Sequence, residues 1–262
     1  MKHFNITFIG AGNVATHLGL AFKKEKHTII QVFSRTENSA KQLAKKLSCD
    51  FTTDIQKILS GSDIYILALK DDAIEKNFEQ LSQIFSKRED MKKPIFIHTS
   101  GSVSIKNFKQ QTNYGVFYPL QTFSKNRKFN FAAIPICIEA NNKKTEKILI
   151  QLAKTISKKI YLLNSEQRKM VHIAAVFANN FTNHLCAIAE KILEKEHISF
   201  DILKPLLEET FNKIKNNSPS EMQTGPAIRG DKKIIKEHLK LLSAIPSQRK
   251  IYKLLSEAIQ ND

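Results

Sequence analysis

Cysteine is scarce and poorly placed for chemistry. Cys49, Cys137 and Cys186 are the three in 262 residues, an odd number with no C-x-x-C pair and no zinc-ligand spacing. A disulfide framework and a metal site are thereby excluded, and buried free thiols are expected. Long hydrophobic runs are missing too: no stretch nears the roughly 20 apolar residues of a membrane span. Met1-Lys2-His3 leads into a strand-like run rather than a signal peptide, so a soluble, cytoplasmic protein is expected. Arginine is also rare, at six of 41 basic residues, although the formal net charge is +16. The lysines spread over helix-like segments, with no aromatic-interleaved basic motif and no helix-turn-helix pattern. They read as a solvated surface that attracts anionic ligands, and nucleic acid is not expected as a partner. No internal repeat or low-complexity tract is evident.

With 42% hydrophobic residues, the chain is globular and long enough for two domains. Phe4–Ile9 runs into Gly10-Ala11-Gly12-Asn13-Val14-Ala15, which reads as a buried strand, a glycine turn and a helix start. Gly10 permits the turn, Gly12 lets a pyrophosphate approach the backbone, and Ala15 allows helix and strand to pack closely. Free N–H groups at the start of a helix over Val14–Phe22 would receive the phosphates. A second parallel strand, Thr28–Phe33, ends at Ser34-Arg35-Thr36 and a helix at Glu37–Leu47. Acid is absent at that strand end, where Asp or Glu would bind a ribose 2′-hydroxyl. Arg35 between two hydroxyls can grip a 2′-phosphate instead, which favours NADP over NAD.

A short segment, Cys49–Thr52, and a helix-like Asp54–Leu59 lead to the strand Ser62–Leu69. In a doubly wound sheet the ligand crevice lies outside the carboxyl ends of the strands. Leu69, Lys70 and Asp71 should therefore fall beside the cofactor, although Asp71 or Asp72 could equally cap the next helix. The strand Pro94–His98 delivers Thr99-Ser100-Gly101-Ser102 to the same edge, where hydroxyls suit a nicotinamide amide, a phosphate or a substrate. Turn chemistry, with Ser102 or Ser104 capping a short helix, explains them equally well. Tyr114–Phe123 reads as a strand and turn that Pro119 ends. Ala133–Glu139, a helix at Lys143–Ile156 and Lys159–Leu162 complete an alternating α/β pattern.

From Ser165 the period becomes 3.6. Glu166–Leu193 reads as one long helix, with Ser165 as a candidate N-cap, followed by Phe200–Lys215, Lys232–Leu242 and Gln248–Ile259. The expected division is residues 1–163, a dinucleotide-binding domain, and 164–262, an all-helical domain. His172, Val176, Asn179, Asn180 and Asn183 share a side of the long helix by helical spacing. That polar stripe could face a cofactor's redox end or form a seam between helices. Arg229, in Gln223–Asp231, could hold a carboxylate or a phosphate.

These residues together resemble Rossmann-like proteins with a C-terminal domain of unknown function 2520, distant relatives of pyrroline-5-carboxylate reductase and other 6-phosphogluconate-dehydrogenase-like oxidoreductases. The resemblance rests on Gly10–Ala15, Ser34-Arg35-Thr36, His98–Ser102, Tyr118–Phe123, His172 with Asn179-Asn180, and Thr224–Asp231. It implies an N-terminal Rossmann-like, mostly parallel sheet, an all-helical C-terminal domain and NADP as cofactor. It also implies a small-molecule substrate in the cleft between domains and a homodimer formed through the helical domain. Related dehydrogenases carry a lysine on the long helix with an asparagine about two turns on; the comparable face here offers His172 and Asn179. Histidine can act as a general acid near neutral pH, so His172 with Asn179 is the expected catalytic pair, and Asn180 and Arg229 are the expected substrate contacts. The reading is an NADP-dependent reductase or dehydrogenase of a small anionic substrate. A non-catalytic NADP-binding redox sensor or scaffold is the alternative.

Overall fold

Short β-branched runs in the first half of the chain assemble into one sheet, as shown by a computed structural model that describes residues 2–88, 93–108, 113–124 and 127–261. The strands are β1 (Asn5–Ile9), β2 (Thr28–Phe33), β3 (Asp50–Thr52), β4 (Ile64–Leu67), β5 (Ile95–His98), β6 (Tyr114–Pro119), β7 (Ile136–Ala140) and β8 (Ile160–Leu162). Their order is β3-β2-β1-β4-β5-β6-β7-β8. Every neighbouring pair is parallel except β6 and β7, which run antiparallel with Tyr118 opposite Cys137. The first six strands have the order of a dinucleotide-binding doubly wound sheet, and the class is the Rossmann-like α/β one expected.

Side chains alternate between the two faces, as a pleated strand requires. Ile6, Phe8, Ile64, Ile66, Ile95 and Ile97 join one cluster, which also contains Leu18 and Phe22 of α1 (Asn13–Lys24), Leu43 and Leu47 of α2 (Glu37–Leu47), and Leu149 and Leu152. Tyr65, Leu67 and Phe96 face the other way, against Ile74, Phe78 and Leu81 of α3 (Asp71–Ser86). Leu149 and Leu152 belong to α4 (Lys143–Ile156), whose Asn142 N-cap accepts from Thr145 N at 2.8 Å. Cys137 is buried and Cys49 and Cys186 half-buried, all three with free thiols.

The chain divides into two compact units, Met1–Phe177 and Ala178–Asp262. The first unit includes α5 (Ser165–Ala175). Residues Val176–Phe181 then form a π-helix, and α6 (Thr182–Lys195) follows. The uninterrupted helix expected over Glu166–Leu193 is therefore corrected, and faces counted at 3.6 residues per turn do not carry across the π segment. Asn164, not Ser165, caps α5, in a reciprocal box with Gln167. Asp54–Leu59 contains only a 3-10 turn, Ile55–Lys57. Neither Asp71 nor Asp72 caps α3; its N-cap is Lys70, and both acids sit in the first turn, where they favour the helix dipole.

The second unit contains helices and turns and no strand among its described residues. After a 3-10 turn at Phe200–Leu203 come α7 (Lys204–Asn216), α8 (Lys232–Leu241) and α9 (Pro246–Asn261). Asp231 caps α8, accepting from Ile234 N at 3.2 Å. Little of this unit is buried: Ile202, Leu206, Leu241 and Leu254 are each more than 60% exposed. Among the described residues no helix is long and apolar enough to cross a membrane.

Candidate active site

The glycine turn lies where four strand ends meet. Gly10 N donates to Phe33 O at 2.8 Å, Ala68 N to Ile9 O at 2.9 Å and Thr99 N to Leu67 O at 3.3 Å. Gly10 has φ +112° and no room for a side chain, because a Cβ there would run into the Ala68 carbonyl and come within 3.1 Å of Leu69. A residue with a side chain would strain this turn and push β1 from β4. Gly12 differs: a Cβ there would meet nothing within 4 Å. Gly12 is also the N-cap of α1, has no side-chain cap, and is followed by a first turn without acid. The helix start therefore offers unmet N–H donors beside open space, an arrangement that fits a pyrophosphate.

Around that turn the expected cofactor residues have distinct situations. Ala11 and Val14 pack partly against the core, while Asn13 Nδ2 donates to Phe123 O at 2.9 Å and holds Phe123 beside α1. Ser34 N donates to Thr52 O, Arg35 is exposed, and Thr36 is the N-cap of α2 with its hydroxyl on Ser39 Oγ at 2.8 Å. Lys70 and Asp71 are exposed just beyond β4, whereas Thr99 and Ser100 are buried. Ser100 Oγ accepts from Ser102 N at 3.0 Å and Val103 N at 3.1 Å, and Ser104 caps the 3-10 turn Ile105–Asn107. Ser100 thus builds the turn that follows β5.

Beside this turn stands a pair of side chains that can move a proton. The Tyr118 hydroxyl and His172 Nδ1 are 3.0 Å apart. Gly101 wedges against both: a Cβ on it would lie 2.7 Å from His172 Nδ1 and 2.9 Å from Tyr118 Cζ. Burial, with smaller contributions from the Cys137 thiol and the Asp71 carboxylate, pushes Tyr118 up to about 12, so its phenol stays protonated at neutral pH.

His172 is positioned from below. Arg168 lies one helical turn earlier on the same face of α5, and its side chain is 1% exposed. It pairs with Glu139 of β7 and donates to the Val103 carbonyl. Glu139 also accepts from Ser165 Oγ, at 2.9 Å, and from Ser165 N, at 3.0 Å. A buried pair of this kind is held by its hydrogen bonds as much as by charge. His98 lies nearby, lowered to about 3 by burial and then by the Arg168 guanidinium. Its Nδ1 accepts from Ser100 N at 3.2 Å.

The other expected site residues lie in the second unit. Asn179 and Asn180 are exposed, and Asn179 Nδ2 donates to Asn180 Oδ1 at 3.3 Å. Arg229 is exposed in a loop bounded by Gly225 (φ +114°) and Gly230 (φ +68°). Sequence reasoning gave Tyr118 no role and missed Arg168 and Glu139 altogether. An acid ending one strand-like run and an arginine four residues before His172 were the available signals.

Residues 5–97 match the family model described as NADP oxidoreductase coenzyme F420-dependent, and 134–259 match the domain of unknown function DUF2520. Among solved structures, the chain is similar to the putative NADP oxidoreductase BF3122 from Bacteroides fragilis, with 40% identity, 99% of each chain covered and a TM-score of 0.91. A pyrroline-5-carboxylate reductase from Coxiella burnetii shares 17% identity and a TM-score of 0.61 over 99% of this chain and 97% of its own. An imine reductase from Myxococcus stipitatus, solved with NADP+, shares 14% identity and a TM-score of 0.67 over 98% and 92%. The last two likenesses concern the fold. No protein of curated function matches the sequence.

Proposed function

The chain belongs to the same family as BF3122, joining an NADP oxidoreductase domain to DUF2520, and from that premise we propose that it is an NADP-dependent reductase of a small anionic molecule bearing a C=N or C=O bond. Gly10, Ala11, Gly12, Asn13 and Val14 would hold the pyrophosphate through the α1 N-terminus. Ser34, Arg35 and Thr36 would take the 2′-phosphate, and Leu69, Lys70, Asp71, Thr99 and Ser100 would border the nicotinamide. The bound dinucleotide supplies hydride.

The observation that carries the catalytic half of this reading is the Tyr118–His172 hydrogen bond seated on Gly101. Reducing such a double bond needs a proton at the heteroatom that receives the electron pair. We assign it to His172 Nε2, with Nδ1–H held by the Tyr118 oxygen so that one ring nitrogen stays fixed and the other exchanges protons. Arg168 orients this ring through α5. Asn179, Asn180 and Arg229 complete the proposal as contacts from the helical unit, with Arg229 or Lys70 answering a substrate's negative charge. The exposed apolar side chains of that unit support a homodimer built on it.

Fluorescence titration should show NADPH binding more tightly than NADH, with Arg35→Ala weakening NADPH by about tenfold or more and leaving NADH alone. Equal binding of both, unchanged by the substitution, would remove NADP. In a screen of cyclic imines and oxo acids with NADPH, His172→Ala should lower kcat by on the order of 10²- to 10⁴-fold. Tyr118→Phe should cost less, since it only frees the ring. Full activity in the His172 variant would sink its role, and NADPH binding without turnover of any substrate would leave a cofactor-binding sensor.

A further inference from the structure

We propose a second binding site, for a nucleoside polyphosphate or a similarly built organic polyanion, along the outer side of α1. A cavity of about 930 Å³ opens there between α1, the loop over Arg127–Ala132 and the C-terminal end of α4. This volume falls in the range of small-molecule sites, far above what a single ion needs. The cofactor cradle uses the N-terminal end of α1; this cavity begins a turn later, at Thr16, and runs to Lys24 and Glu25 beyond the helix's other end. The two are separate places on one helix.

Charge defines the rim. Lys24, Lys46, Arg127, Lys128, Lys154 and Lys158 line the cavity against one acid, Glu25. Among the described residues none of these six has a carboxylate within salt-bridge distance. The cations come from four separate segments, so no single helix periodicity accounts for their convergence. Such a ring concentrates field where several phosphates could be met at once, and one carboxylate would engage only part of it.

The floor has a different character. Leu20, Ala21, Phe129, Phe131 and Ile156 line the same cavity, and the two phenylalanine rings are half-buried. They are held in place: His17 packs edge-on to Phe129 at 4.9 Å, and Phe123 stacks on His17 at 5.1 Å and on Phe131 at 5.8 Å. The described residues on either side of these rings are pinned, with His17 Nε2 3.0 Å from Ser124 O, Lys158 N donating to Ala132 O at 3.1 Å and Ser157 Oγ to Ile134 O at 2.6 Å. Fixed aromatic rings under a cationic rim suit a ligand with a flat apolar group and a polyanionic tail. A base joined to phosphates has that construction.

Calorimetric titration of ATP and of inorganic tripolyphosphate into the full chain tests the assignment. ATP should bind, and both Lys154→Glu/Lys158→Glu and Arg127→Glu/Lys128→Glu should weaken it by about tenfold or more. Phe131→Ala should weaken ATP but not tripolyphosphate, and tripolyphosphate should bind less tightly than ATP. Arg35→Ala and, as a control for the overall charge, Lys232→Glu/Lys236→Glu on α8 should leave ATP affinity unchanged. Thermal melts matching the wild type confirm folding, and the two charge-reversal pairs lie on different segments. Absence of ATP binding, an equal loss in the α8 control, an equal loss in Arg35→Ala, or tripolyphosphate binding as tightly as ATP would each overturn the proposal. The NADPH titrations of Arg35→Ala report separately on the cofactor site, so either assignment can fail alone.

Discussion

Helices α4 and α9 are both amphipathic, yet they end in opposite conditions. In α4 the apolar face is buried, with Leu149, Leu152 and Ala153 at 0% exposure against the sheet. In α9 Leu254 is 67% exposed, and in α7 Leu206 is 63% exposed. A 3.6-residue period promises an apolar stripe but not a surface to receive it. For α1 to α4 the sheet supplies that surface; from α5 onward, where Met170 is 64% and Ile173 49% exposed, the described helices leave many large apolar side chains uncovered. The two units should therefore answer substitutions on different scales.

The largest contrast is expected in chemical denaturation. Phe8→Ala, which empties a fully buried position between β1 and its covering helices, should cost about 3–5 kcal/mol. Acid should have the next largest effect. The unfolded chain protonates His98 near its ordinary value of 6.5, whereas the folded chain resists until about 3. The stability this group contributes is full above 6.5 and is lost as pH falls toward 3, with a slope of up to about 1.4 kcal/mol per pH unit. Replacing it by leucine should remove that part of the pH dependence; an unchanged slope would show that folding does not suppress its protonation. Caps should erase the difference between units, because capping is local: Asn142→Ala and Asp231→Ala should each cost about 1 kcal/mol. Smallest of all should be Leu206→Lys and Leu254→Lys, within about 0.5 kcal/mol if these faces meet only water. A larger, concentration-dependent loss, with a fall in sedimenting mass, would show that a second copy covers them and would support the proposed dimer.

The parallel part of the sheet was legible because its strands are uniform: β2 and α2 appear at the expected residues, since β-branched runs and capped amphipathic stretches carry their instructions locally. The π-helix at Val176–Phe181 was not, because nothing in apolar spacing marks an extra residue per turn. The glycine turn could be read because backbone strain and close approach demand particular residue types there. Tyr118, Arg168 and Glu139 could not be brought to His172 from spacing alone. Tyr118 and Glu139 lie 54 and 33 residues from it in sequence and become its neighbours through the order of β5, β6 and β7; Arg168 is one helical turn away, but its burial against Glu139 is not written in the spacing. Burial likewise distinguishes Arg168 from the other arginines, and burial belongs to the assembled fold.

The reversal between β6 and β7 decides which end of α5 reaches the Tyr118 hydroxyl. Because β7 and β8 run against the other strands, the chain leaves the sheet at the edge away from the glycine turn. It then anchors Ser165 and Arg168 to Glu139 and climbs the face, so that the ring reaching the Tyr118 hydroxyl belongs to the helix's second turn. A parallel β7 would have sent the chain out at the crevice and α5 downward, presenting its capping residues there instead. One inverted strand therefore works as a route choice: it brings the helix to Tyr118 already tethered at its base, with His172 at the travelling end.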